Sequence, residues 1–196
     1  MIPSKISAFV MHNIAITTLL CSSGAMAACK FDYGHSEQTL NFGASLGSES
    51  MPVPRDAPIG TVIFTQRLSA RDPYFKCNAT TKYGLTMNPA LGTPASDTTY
   101  PLGKTGLSFR IGTGKPELPY LPNSVDLLPG DYRTGMEAFT LEIIKTEELI
   151  SETPVPAGLL GNFQTTDLVF IKFNLINPIN LNAASCKSPN VSVQNG

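Results

Sequence analysis

The chain has no excess of positive charge: 14 Lys and Arg stand against 15 Asp and Glu, a formal net charge of −1 over 196 residues. A surface without a basic field has nothing to attract nucleic acid or acidic lipid, which excludes both partner classes. Histidine is equally scarce. His12 lies in the N-terminal segment, which leaves His35 as the one imidazole for a Ser-His-Asp or Cys-His arrangement, and it sits in a polar stretch beside Gly34, the setting of a surface histidine. A membrane span is missing too, because about 20 consecutive apolar residues are needed and polar His12 and Asn13 break the N-terminal apolar stretch. Long runs of helical periodicity do not occur.

What is present at the N-terminus is an export signal. Lys5 supplies a positive start, Ile14 to Leu20 an apolar centre and Ala25-Met26-Ala27 an A-x-A cleavage site, so residues 1–27 read as a secretory signal peptide and the mature chain begins at Ala28. Removing Lys5 leaves 13 basic against 15 acidic residues. The signal also removes Cys21, leaving Cys29, Cys77 and Cys186 in an oxidising compartment where disulfides are the default. Cys29 and Cys77 both lie in the front half, and closing that loop stabilises by about 4 kcal/mol in the chain-entropy model. Cys186 is then unpaired, its partner expected downstream of Gly196, with an intermolecular bridge or a free thiol as alternatives.

Sixteen Gly and sixteen Pro with little helical period point to short strands joined by turns: an all-β fold, an immunoglobulin-like or jelly-roll-type β-sandwich with long connecting loops. The clearest strands are Thr61 to Gln66, Leu107 to Ile111, Phe139 to Lys145 and Leu168 to Leu175, each rich in β-branched or aromatic residues. Leu107, Phe109 and Ile111 alternate with Ser108 and Arg110, as on a sheet with one face in water. Leu168-Val169-Phe170-Ile171 is apolar on both faces and is expected to be central. Gly43 to Ile59, Ala79 to Lys104 and Gly112 to Gly135 are dense in turn residues, and a binding surface is expected on such loops.

Motifs of catalysis do not assemble. Gly103-Lys104-Thr105 resembles the end of a phosphate-binding loop, but Thr98 stands where the motif needs glycine. Glu147, Glu148 and Glu152 are a solvated hairpin rim rather than the paired carboxylates of glycoside hydrolysis. A zinc site lacks ligands once two cysteines pair. No metal, cofactor or catalytic residue is therefore expected, and an exported hydrolase is the least favoured reading. Asn78-Ala79-Thr80 and Asn190-Val191-Ser192 match the N-glycosylation pattern.

Ligand recognition remains. Carbohydrate or collagen-like ligands are held by aromatic faces beside fixed polar groups. Two clusters offer these: Arg71, Asp72, Tyr74 and Phe75 just before Cys77, and Tyr120, Asn123, Asp126, Asp131, Tyr132 and Arg133 before the Phe139 strand. Either can instead pack its loop onto a sheet.

Several segments, in order, carry a family resemblance. Val53-Pro54-Arg55-Asp56-Ala57-Pro58-Ile59-Gly60-Thr61-Val62-Ile63, Gly106-Leu107-Ser108-Phe109-Arg110-Ile111, and Leu141-Glu142-Ile143-Ile144-Lys145-Thr146 followed by Pro156-Ala157-Gly158-Leu159-Leu160-Gly161 resemble the segment leading into a core strand, a middle strand, and a late strand with its closing loop. The resemblance is to the receptor-binding domains of chaperone-usher fimbrial tip adhesins, in their type 3 fimbrial branch. Cys186 to Val193 is similar to the first strand of the pilin domain that follows such a domain. The resemblance implies a receptor-binding β-sandwich over 28–180, and a linker with the first strand of a truncated pilin domain over 181–196. It further implies a non-enzymatic adhesin exported through the periplasm to the fimbrial tip, binding a host glycan or extracellular-matrix protein. A full-length form would pair with a periplasmic chaperone, an outer-membrane usher and the next fimbrial subunit, by donated strands. The alternative is a structural minor fimbrial subunit; the roughly 150 residues before Cys186 favour the adhesin.

Overall fold

The computed structural model describes residues 28–46, 51–54, 57–94, 96, 98–113, 118, 120–121, 124, 126–149 and 154–184. Its strands are β1 (Cys29–Phe31), β2 (Gln38–Phe42), β3 (Met51–Pro54), β4 (Val62–Ser69), β5 (Tyr74–Cys77), β6 (Thr81–Met87), β7 (Tyr100–Pro101) and β8 (Leu107–Gly112). There follow β9 (Asp126–Leu127), β10 (Gly130–Arg133), β11 (Ala138–Lys145), β12 (Gly158–Thr165), β13 (Val169–Leu175) and β14 (Leu181–Ala184). One 3₁₀ turn, Pro89–Leu91, is capped by the Asn88 side chain. The fold is an all-β sandwich.

Its two main layers are a four-stranded sheet in the order β4-β11-β8-β7 and a five-stranded sheet in the order β2-β13-β12-β6-β9. Alternation along β11 sends Phe139, Leu141 and Ile143 inward, all essentially without solvent contact, while Thr140 and Glu142 face out. Across the gap Phe139 meets Phe163 of β12 at 5.9 Å and Phe173 of β13 at 5.2 Å between ring centroids. These aromatic contacts join the layers. Truncating one such buried ring to alanine costs about 3–5 kcal/mol.

All four expected strands exist, with β4 extended to Ser69 and β13 beginning at Val169. β13 is interior, as its two apolar faces require: Phe170 and Ile171, on opposite faces, are both fully buried. Two expectations are corrected. Ser108 does not meet water; it is buried, its hydroxyl 2.8 Å from that of Thr146. Gly158 to Gly161 is strand rather than loop, hidden in the sequence because its glycines and a register shift at Leu159/Gly161 break the alternation. The turn-rich segments Ala79 to Lys104 and Gly112 to Gly135 also contain β6, β9 and β10.

A smaller three-stranded sheet, β1-β5-β10, rests on one end of β13. Phe31 and Phe75 point inward to Phe170, at 6.3 and 4.3 Å between centroids. The Cys29–Cys77 disulfide ties β1 to β5 at directly opposed positions, as the cysteine positions suggested. Cys186 lies outside the described residues. The chain leaves the sandwich through Ile179, which exchanges two 2.9 Å backbone hydrogen bonds with Val155, and then pairs β14 in parallel with β3.

Candidate functional site

The two clusters singled out from the sequence are neighbours in space. β10 pairs antiparallel with β5, which sets Arg133 opposite Tyr74, Tyr132 opposite Phe75 and Asp131 opposite Lys76. Alternation then divides these residues between two faces. Inward go Phe75 and Tyr132, their rings stacked at 5.6 Å. Outward go Tyr74, Lys76, Asp131 and Arg133, joined by Lys30 of β1 opposite Lys76. This outer face is the candidate site.

Its centre is a pair of tyrosines. Tyr33 follows β1 in a turn, has 75% of its surface exposed and is the one non-glycine residue with positive φ, 50°, among those described. Its ring crosses Tyr74 edge to face at 4.6 Å, and the His35 ring lies 6.2 Å from that of Tyr74. A bulky residue held in the left-handed region is uncommon, and such strain collects at binding sites. Partial burial raises the Tyr74 pKa above 10.0, and Tyr33, Asp131 and Asp32 raise it further. A side-chain hydrogen bond between Tyr74 and Tyr33 acts in the same direction.

Asp72 anchors the rim. Only 8% exposed, its carboxylate accepts from the Thr134 hydroxyl at 2.7 Å and the Gly135 amide at 3.0 Å, and pairs with the Arg133 guanidinium at 3.3 Å. These three contacts all go to the 133–135 segment, so Asp72 holds Arg133 in place. Lys76 and Asp131 pair at 3.3 Å across the two strands. The Arg71 backbone is clamped by the Gln38 side-chain amide, which donates to its carbonyl and accepts from its N–H. Its guanidinium has no ion-pair partner among the described residues.

The remaining sequence candidates separate from this face. Tyr132 is half-buried and donates its hydroxyl to the Leu128 carbonyl at 2.6 Å; with Phe75, Tyr83, Leu127, Arg133, Thr134 and Met136 it lines a cavity of about 140 Å³, which Arg133 reaches from the edge of the outer face. Tyr120 forms a β-bridge with Leu85 of β6 and lies 6.1 Å from buried Tyr100, ring to ring. Asp126 pairs with Lys82 at 3.8 Å on the edge of the five-stranded sheet. Asn123 lies outside the described residues. Tyr33 was missed by sequence reasoning, which read its neighbours Gly34 and His35 only as a polar surface stretch.

Comparison with known protein families finds no match, and comparison with curated proteins finds none. Among solved structures, the receptor binding domain of plasmid-born adhesin MrkD1P of Klebsiella pneumoniae superposes with a TM-score of 0.60 at 22% identity, covering 84% of this chain and 100% of that one. The chain has the fold of an adhesin receptor-binding domain. The CupB6 tip adhesin from Pseudomonas aeruginosa gives a TM-score of 0.41 at 13% identity, over 79% of this chain and 42% of that one. In the adhesin-type fold described here, the Tyr33 and Tyr74 face is formed by a sheet that is covalently stapled at Cys29 and Cys77.

Proposed function

We propose that this chain is a non-enzymatic adhesin, exported to the cell surface, whose receptor-binding unit over 28–180 attaches a fimbrial tip to a host glycan or extracellular-matrix protein. The fold shared with a solved adhesin receptor-binding domain supports the class. The ligand face is the outer side of β1-β5-β10. One observation carries that placement: Tyr33 projects into solvent from a strained turn and crosses Tyr74, with Arg133 and Lys76 already fixed by Asp72 and Asp131. Pre-positioned aromatic and charged groups lose little entropy when a ligand arrives. Residues 181–196 are the linker and first strand of a following pilin domain, whose full-length form would meet a periplasmic chaperone, an usher and the next subunit through donated strands.

The test is adhesion of beads coated with the full chain to host cells and to immobilised matrix proteins. Tyr33→Ala, Tyr74→Ala and Arg133→Ala should each lower attachment at least tenfold, with Thr39→Ala on the exposed part of β2 as a control. Wild-type attachment by all three variants would remove the ligand from this face.

A further inference from the structure

The four-stranded sheet carries a second concavity, lined by none of the residues singled out from the sequence. Arg67 and Ser69 stand two apart on the outer face of β4, Ala138 lies opposite Ser69 on β11, and Thr113 follows the end of β8. Met136 and Glu137 close the end. The cavity measures about 500 Å³, within the roughly 300–1,000 Å³ of small-ligand sites. Arg67 is steadied by a 3.4 Å hydrogen bond from Nη1 to the Thr140 hydroxyl, and Glu137 by its carbonyl, which accepts from the Ala70 amide at 2.8 Å. Neither charge enters an ion pair among the described residues.

From this we infer that the cleft between β4, β11 and the 135–137 segment is a binding site for a neutral saccharide unit. The lining decides the class. Guanidinium donors and carboxylate acceptors, with the Ser69 and Thr113 hydroxyls able to do both, match adjacent hydroxyl groups that each donate and accept. Glu137 offsets Arg67, so a carboxylated or sulfated ligand gains no net attraction. The cleft has no aromatic wall to grip a proline-rich peptide, and a single carboxylate is too few for a metal. Met136 supplies the apolar surface for the C–H side of a sugar ring. It also lines the cavity beneath Tyr132, so the segment fixed by Asp72 forms a wall of both.

The inference deepens the adhesin reading by adding a sugar site away from the tyrosine face, and its test is independent of adhesion. The full chain, labelled with ¹⁵N, is titrated with mannose, galactose, N-acetylglucosamine, N-acetylgalactosamine and, as a charged comparison, glucuronate. At least one neutral sugar should shift the amides of Thr113, Gly135, Glu137 and Ala138, and Glu137→Gln and Arg67→Gln should each weaken that binding at least tenfold while thermal melts stay unchanged. If none of the neutral sugars moves these amides, or glucuronate binds best, the inference fails. Shifts confined to Tyr33 and Tyr74 would also overturn it while leaving the adhesin reading in place, and that reading fails separately if the tyrosine-face variants attach like wild type.

Discussion

Tyr33 and Tyr132 are both tyrosines within reach of the same small sheet, yet their substitutions should report on different things. Tyr132 stacks on Phe75 and holds the Leu128 carbonyl, so Tyr132→Ala removes packing and a hydrogen bond and is expected to cost about 2 kcal/mol of stability. It is therefore a poor probe of a ligand. The Tyr33 side chain is largely exposed and meets Tyr74 at its ring, and its positive φ is one that glycine adopts freely. Tyr33→Gly should leave the stability within about 0.5 kcal/mol of wild type, the range of most exposed substitutions, while lowering attachment at least tenfold. Equal losses of stability and attachment in Tyr33→Gly would show that the turn is structural. Asp72→Ala is the third contrast at this scale. It strips acceptors from Arg133, Thr134 and Gly135 at a buried site and should cost about 2–3 kcal/mol, against under about 1 kcal/mol for Arg133→Ala, whose guanidinium is largely exposed. Urea melts of the two variants compare these costs, and equal values would remove Asp72 from its positioning role.

Among the elements, β4, β8, β11 and β13 were legible because each follows a local rule: alternation over five or more residues, or a short two-faced apolar run. β12 was not, since Gly158 and Gly161 offer no side chain to alternate. Gly161 is required where it stands, because a Cβ there would be driven into the Thr86 carbonyl of β6. The site shows the same division. Each of its two clusters could be read locally from aromatic and charged residues in loop-like sequence, but their meeting depends on the pairing of β5 with β10, more than 50 residues apart, and a long-range register leaves no local trace. Gly106 makes the point testable. It has φ 82°, its carbonyl receives the Thr146 and Glu147 amides, and a methyl group there would collide with the Glu148 backbone. Gly106→Ala should cost at least about 2 kcal/mol through strain alone, loosening the 146–148 turn that covers Ser108. A denaturation midpoint like wild type would show that the turn can give way.

For the whole molecule, the question is where the receptor-binding unit ends. The sandwich holds its C-terminal strand connection at Ile179, which is buried and bonded twice to Val155, before the chain pairs β14 with β3 in a separate two-stranded ladder. A two-stranded pair contributes little on its own, whereas burying one isoleucine contributes about 1.5–3 kcal/mol. Two truncations separate these terms. Ending the chain after Asn180 removes the β14 ladder and keeps Ile179; it should lower the melting temperature by no more than about 2–4 °C, the shift produced by 1 kcal/mol in a protein of this size. Ending after Pro178 also removes the buried side chain and both backbone hydrogen bonds, and the loss should at least double. If both truncations melt alike and far below wild type, β14 is integral to the sandwich and the unit extends past 180. If both melt like wild type, Ile179 contributes nothing and the boundary lies earlier. An intermediate step at Ile179 alone would place the boundary at that residue.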